Sequence, residues 1–336
     1  MDNRKKIKLT AYEVREDERI FFEEQAKLLN LEIIYTSETL NRKTLTLAGN
    51  SIAVTTLGQS RIDKALITCI KQMGIQCVAT RTVGVNHIDV NAAKALDIHV
   101  SSVNYAPNGV ADYTVMLILM SLRKYKQALF RINVNDYSLS GLRGKEMKDL
   151  TIGVVGTGSI GKQVLKNLAG FGCELIACSR HEAEDVKDIA RYVSLEELYA
   201  LADVISFHVP LTDKTSQMVN RNSIQSMKDG VALINCARGE IMNINDLIEG
   251  IENQRIGALA MDVFENESGI YHHDRKNDII SNREMAYIRQ FPNVITTQHI
   301  AFYTDAAVQS MVNGALVNIV SAVHYGVHKI ETVLSC

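Results

Sequence analysis

The chain has 336 residues, 46% of them hydrophobic, which suits two lobes that each bury a full core. Its 36 basic and 38 acidic residues leave a formal charge of −2 and form no basic stripe, which excludes a nucleic-acid backbone as partner. The apolar stretch 115–120 falls far short of the roughly 20 residues that cross a bilayer, and no long apolar core follows the basic residues Arg4, Lys5, Lys6 and Lys8. The expectation is a soluble protein with no membrane partner, signal peptide or anchor. Cys69, Cys77, Cys173, Cys178, Cys236 and Cys336 make no CxxC pair and have no histidine at zinc-finger spacing, so no metal or disulfide framework is expected and a reducing cytoplasm fits.

In chain order, β-rich runs are expected at 7–12, 52–55, 76–80, 98–102, 151–155, 174–178, 203–207, 231–235, 257–263 and 294–297, with helical stretches between them. That alternation predicts an α/β fold built on parallel sheets. Pro107 opens a helix running through Tyr113 and Leu122 that is apolar nearly all round, which buries it against another lobe or subunit, or in an ordinary core. The last periodic stretch, Asp305–Tyr325, reads as a helix with Thr304 as N-cap and Gly326 as its stop.

The segment TIGVVGTGSIG sets Gly156, Gly158 and Gly161 after an apolar strand and before a helix expected to begin near Lys162. In that context the first glycine permits a tight turn, the second lets backbone approach a pyrophosphate, and the third lets helix and strand pack closely. The next strand normally ends in a carboxylate that binds the adenosine ribose. Here it ends Cys178, Ser179, Arg180, which removes the repulsion of a 2′-phosphate and adds a counter-charge. NADP(H) is therefore the favoured cofactor, with NAD(H) bound through Ser179 as the alternative; nearby Glu182, Glu184 and Asp185 weaken the positive field.

Polar residues recur just past successive strands, where an open α/β sheet gathers its ligands: His208 with Pro210, Arg238, Asp262 with Glu267, and His299. Arg238, in NCARGE, can clamp a carboxylate bidentately, or serve as a structural ion pair. His299, in TTQHIAFYT, is the acid–base candidate, and Glu267, in MDVFENE, can orient its imidazole and favour the protonated form. An anion clamp and a carboxylate-backed proton donor beside a dinucleotide loop fit reduction of a 2-keto acid.

Taken together, YEVREDE (12–18), ATRTVGVNHID (79–89), NYAPNGVADYT (104–114), GVVGTGSIG, HVPLTDKT (208–215), NCARG, AMDVFENE and PNVITTQHIAFYT resemble the D-isomer-specific 2-hydroxyacid dehydrogenase family over essentially the whole chain. YEVREDE and HIAFYTDAAV look most like its D-lactate dehydrogenase branch, with the vancomycin-resistance and aryl-lactate dehydrogenases. The resemblance implies two Rossmann-like domains: a flavodoxin-like substrate-binding domain of residues 1–103 and 300–336, completed by the C-terminal helix, and a dinucleotide-binding domain of 104–299. It implies catalytic roles for Arg238, Glu267 and His299, with Asp262 in support. Cofactor contacts would fall on Gly156, Gly158, Ser159, Ile160, Ser179, His208, Val209, Pro210, Thr215, Cys236 and Asp262. The backbone at Val83 and Gly84 would bind the substrate carboxylate, Tyr105 and Phe302 would line the pocket, and Val54 would face the substrate side chain. Homodimers pairing through the cofactor domain are also implied, giving the 107–122 helix an interface role.

The sequence departs from the family's pattern at Ser179, where an aspartate is usual, and at Asn86 and His87, where an acidic residue followed by asparagine is frequent. Val54 is smaller than the tyrosine of some D-lactate dehydrogenases, which leaves phenylpyruvate and branched-chain keto acids open beside pyruvate. Two other readings share the fold: a dinucleotide-sensing corepressor-like interaction protein, and a phosphoglycerate-type dehydrogenase. The first would be expected to carry disordered tails and the second a regulatory extension, and neither is expected from this sequence.

Overall fold

The structure is a computed structural model and describes residues 6–325. The chain forms two compact units: one runs up to Ala106 and resumes at Tyr303, and the other is Pro107–Phe302.

The first unit carries five parallel strands, β1 (Ile7–Ala11), β2 (Leu31–Tyr35), β3 (Ala53–Thr56), β4 (Cys77–Thr80) and β5 (His99–Ser101), in the order β2-β1-β3-β4-β5. β3 and β4 are buried throughout, as strands covered on both faces must be. One apolar layer gathers Tyr12, Leu40, Val54, Ile62, Ile67, Ile70 and Val78. On β4, β5 and the helix Arg19–Leu28 lies the helix Asp305–Tyr325, which buries Val308, Met311, Val312, Leu316 and Ile319. By length and composition this helix could cross a membrane, yet its apolar side is occupied by its own sheet. Thr304 does cap it, Oγ1 accepting from Ala307 N at 3.3 Å; Gly326, its expected stop, lies outside the described residues.

Arg81 follows β4 and is wholly buried, which requires a partner for its charge. Its Nε donates to Glu18 Oε1 at 2.9 Å and its Nη2 to the carbonyls of Tyr12 and Glu13, each at 3.0 Å, so the loops after β1 and β4 are locked together.

The second unit carries seven parallel strands: β6 (Thr151–Val155), β7 (Glu174–Cys178), β8 (Arg191–Tyr192), β9 (Val204–Phe207), β10 (Val231–Asn235), β11 (Ile256–Met261) and β12 (Val294–Thr296). Their order, β12-β11-β10-β9-β6-β7-β8, reverses direction between β6 and β9, which makes a topological switch point there. The helix Asn108–Leu122 packs on the helix Ser159–Ala169 and on β10, β11 and β12, with Ala111, Val115, Leu117, Ile118 and Leu122 in the core. Core packing of its own unit therefore accounts for most of its apolar surface, and Pro107 stands one residue before the helix, as its N-cap.

Two strands escape the sequence reading. β2 follows its helix with almost no break, so Leu28, Leu29, Leu31, Ile33 and Ile34 merge into one apolar run; β8 is two residues long and half exposed.

Candidate active site

The register of the second sheet places its functional loops. Cys178, Val155, Phe207, Asn235, Met261 and Thr296 lie level with one another across β7, β6, β9, β10, β11 and β12. Because all six strands are parallel, the residues just beyond that row emerge along one edge of the sheet. They are Ser179 and Arg180, the glycine turn, His208 with Val209 and Pro210, Cys236 to Arg238, Asp262 to Glu267, and Thr297 to His299.

At the glycine turn, Gly156 has φ +94°, and a Cβ there would meet the carbonyl oxygen of His208 at 2.4 Å. The helix starts at Ser159 with Gly158 as N-cap, three residues before the expected Lys162. Gly161 thus sits inside the first turn, where a Cβ would fall 1.9 Å from the carbonyl oxygen of Gly156. A Cβ at Gly158 would meet no protein atom within 4 Å, so nothing in the fold itself requires glycine at this exposed position before the helix N-terminus. An approaching pyrophosphate would require it, and the turn fits a dinucleotide on that ground. Ser159 is exposed, and Ile160 packs on the apolar layer below. Tyr192 fastens the turn from the side: its hydroxyl donates to Thr157 Oγ1 at 2.9 Å and accepts from Ala183 N at 3.0 Å.

Beyond β7, Ser179 is half-buried and Arg180 exposed. Each acidic neighbour expected to weaken the field has a lysine: Glu182 and Glu184 pair with Lys187 at 3.4 and 2.8 Å, and Asp185 with Lys162 at 2.8 Å and Lys166 at 3.6 Å. Arg180 pairs with no carboxylate among the described residues.

Burial lowers the His208 imidazole to about 4, so the ring is neutral at physiological pH, its Nε2 2.8 Å from the Ser206 hydroxyl. Burial also pushes the Cys236 thiol up to about 12, with Asp262 adding to it, which removes it as a nucleophile. Val209 packs against the second unit's core, and Thr215 braces its own turn, Oγ1 donating to the Pro210 carbonyl at 2.6 Å.

Arg238 stands at the start of a single 3-10 turn. Asn235 shapes its loop, Nδ2 donating to the Arg238 carbonyl at 2.9 Å while Oδ1 accepts from Ala237 N at 2.9 Å. The guanidinium is half-buried and has no acidic partner among the described residues; Nη1 donates to the Ala237 carbonyl at 2.6 Å. A structural ion pair is therefore not its role. Gly239 presses against the backbone of Phe264 and Glu265, where a Cβ would come within 2.3 Å, so the arginine loop and the glutamate loop touch directly.

Asp262 is wholly buried. Oδ1 accepts from Thr297 Oγ1 at 2.6 Å and Ile300 N at 2.9 Å, and Oδ2 accepts from Ala301 N at 2.8 Å. His299 N also donates to the Asp262 carbonyl at 2.7 Å, so this one residue sets the loop on which the histidine rides. His299 itself has φ +57°, an unusual conformation for a residue with a Cβ. Its Nδ1–H donates to Glu267 Oε1 at 2.5 Å, while Glu267 Oε2 accepts from Phe264 N at 2.8 Å. The imidazole is thereby oriented with Nε2 turned away from the carboxylate. Phe302 lies edge-on to it, ring centroids 6.2 Å apart.

The remaining named residues belong to the first unit. Val83 is exposed and Gly84 half-buried on the loop after Arg81, shaped by Thr82 Oγ1 donating to the Gly84 carbonyl at 2.6 Å. Tyr105 is half-buried. Val54, expected to face a substrate, is wholly buried in the apolar layer with Tyr12 and Leu40. Asn235, Thr297 and His272 escape the sequence reading; the first two are signalled by position alone, in or next to the level row, while His272, on the polar loop beyond β11, carries no such signal.

This geometry defines a parallel-sheet dinucleotide-binding oxidoreductase with a carboxylate-backed histidine at one end of its ligand edge. Comparison with known proteins agrees: the profile described as "D-isomer specific 2-hydroxyacid dehydrogenase, NAD binding domain" matches residues 115–301. The aromatic 2-oxoacid reductase of Clostridium sporogenes is 39% identical over 315 residues, covering 93% of this chain and 95% of that protein. Among solved structures, the pyruvate reductase of Chlamydomonas reinhardtii superposes with a TM-score of 0.88 at 32% identity, covering 95% and 96% of the two chains. A D-isomer specific 2-hydroxyacid dehydrogenase from Lactobacillus delbrueckii ssp. bulgaricus, in its NAD complexed form, does so at 0.80 and 27% identity, covering 94% and 97%. The chain belongs to the D-isomer specific 2-hydroxyacid dehydrogenase family and binds NAD through the second unit.

Proposed function

We propose that this enzyme reduces a 2-keto acid to the D-2-hydroxy acid, with His299 as the proton donor to the ketone oxygen. The observation that carries the reading is the 2.5 Å bond from His299 Nδ1 to Glu267, which leaves Nε2 to carry the transferable proton. Arg238, which has no acidic partner among the described residues, holds the substrate carboxylate; on the first unit, the backbone at Val83 and Gly84 is assigned to carboxylate binding. When bound, the reduced nicotinamide supplies the hydride to C2. Gly156, Gly158, Ser159, Ile160 and Gly161 hold the pyrophosphate, while the loops at His208–Pro210, Thr215 and Cys236 border the nicotinamide. Tyr105 on the first unit and Phe302 on the second are each assigned to contact with the substrate side chain. The substrate-binding role falls to the unit built on β1–β5 and the dinucleotide role to that on β6–β12. Pyruvate, phenylpyruvate and a branched-chain keto acid, each assayed with NADH and NADPH, should show oxidation with at least one pair. No turnover with any would overturn the reading.

NADPH is the preferred cofactor in this reading, because the acidic residues beside Arg180 are taken by lysines while Arg180 is not. Arg180→Ala should lower kcat/KM for NADPH by about 10–100-fold, the range of a charge-assisted hydrogen bond, and leave that for NADH nearly unchanged. An equal effect on both would refute the assignment.

Two copies pair through the second unit. The support is the helix Tyr125–Ile132, none of whose residues is buried, and the segment after it, where Leu129, Phe130, Ile132, Val134, Tyr137 and Leu139 are exposed. Light scattering should give twice the chain mass for wild type and a shift towards monomer for Leu129→Asp/Phe130→Asp; an unshifted dimer would place the interface elsewhere. The cysteines at 69, 77, 173, 178 and 236 are all free, which supports a cytoplasmic home.

A further inference from the structure

We infer that His272 is a positioning residue for His299, fixing the backbone of the acid–base histidine while Glu267 fixes its ring. Its Nε2 lies 3.0 Å from the His299 carbonyl oxygen, and since a carbonyl can only accept, Nε2 carries the proton of that bond. The two rings lie 6.1 Å apart, and the His272 ring also meets Phe302 edge-on at 6.3 Å. His299 is thus gripped twice by one short segment, through its ring by Glu267 and through its carbonyl by His272.

The segment is built to deliver both grips at once. Ile270 N and Tyr271 N each donate to the Glu267 carbonyl at 3.0 Å, folding 267–271 into a compact turn. Arg275 closes the other side, Nε donating to the Gly269 carbonyl at 2.9 Å and Nη1 pairing with Asp278 at 2.8 Å. His272 leaves this turn at φ +63° and meets a His299 that is itself at φ +57°. A non-glycine residue in the left-handed region is held there by its surroundings, and here the bond to the His299 carbonyl is one of the groups that hold it. If the carbonyl were released, the peptide after His299 could rotate, swinging the imidazole off the Glu267 line while leaving the dinucleotide loop untouched.

The inference rests on the proposed role of His299, and the experiment separates the two. His272→Phe keeps a ring beside Phe302 but removes the donor, and should lower kcat about tenfold, the scale of one lost hydrogen bond, with KM for the keto acid and Kd for the cofactor within about twofold of wild type. His272→Gln restores a terminal N–H donor and should recover kcat to within about threefold of wild type. A His272→Phe enzyme as fast as wild type, or a His272→Gln enzyme as slow as His272→Phe, would overturn the inference. His299→Ala assayed beside them tests the underlying reading: if it turns over normally the proton-donor assignment fails, whereas a dead His299→Ala with an unimpaired His272→Phe removes only His272.

Discussion

Replacing His299 with alanine should lower kcat by about 10²–10⁴-fold, the range that general acid catalysis contributes, with the Kd for NAD(P)H little changed. The magnitude follows from chemistry at a single atom. A 2-keto acid becoming a hydroxy acid places negative charge on the ketone oxygen, and without a donor within hydrogen-bond reach that charge must be discharged by water. Nothing else along β10–β12 can substitute: burial holds the Cys236 thiol protonated up to about 12, making it a far weaker acid than an imidazolium, and the Asp262 oxygens are already engaged by Thr297, Ile300 and Ala301. Cofactor affinity should survive because the glycine turn follows β6, which is separated from β12 by the three strands β9, β10 and β11. The measurement is steady-state kcat with a saturating keto acid, alongside fluorescence titration of the cofactor. Turnover within threefold of wild type would strip His299 of its assignment.

Much of this architecture was legible in the residues. Ten of the strand positions are marked by short, largely apolar runs, and Gly156, Gly158 and Gly161 announce their turn because a Cβ at two of them would strike backbone. Arg238, Glu267 and His299 were found by type and by their place after apolar strands, where the parallel register carries loops to a common edge. What periodicity cannot report is which groups a side chain will satisfy. The Arg180 neighbourhood looked acidic in sequence, yet folding brings Lys162, Lys166 and Lys187 onto Asp185, Glu182 and Glu184. The apolar pattern of the 107–122 helix says that it must be covered, by core, lobe or subunit, and not by which; its own sheet and the helix Ser159–Ala169 cover much of it. His272 sits in a polar loop, and only a hydrogen bond over 27 positions gives it meaning.

Asp262→Ala is the second substitution from which a large effect is expected, and it acts through position rather than chemistry. The carboxylate is wholly buried and accepts from one hydroxyl and two backbone N–H groups, all on the 297–301 loop. Removing it leaves three donors facing a cavity, each costing about 1–3 kcal/mol when unsatisfied; with water entering to relieve part of that, a net loss of about 3 kcal/mol is expected, or roughly 6–12 °C in the Tm of a domain this size. The loop that holds His299 would lose its anchor at the same moment, so kcat should fall by at least about 100-fold. Asp262→Asn separates the two effects. One oxygen remains for Thr297 and Ile300, but the amide nitrogen now faces the N–H of Ala301, donor against donor, two residues from His299. The asparagine variant should therefore keep most of the Tm and still lose turnover, since a displacement too small to unfold the unit is enough to move an imidazole off its line to the ketone. If Asp262→Asn lost Tm and kcat in proportion, Asp262 would be a folding residue only; if Asp262→Ala lost neither, the bonds from the 297–301 loop would not be what holds His299 in place.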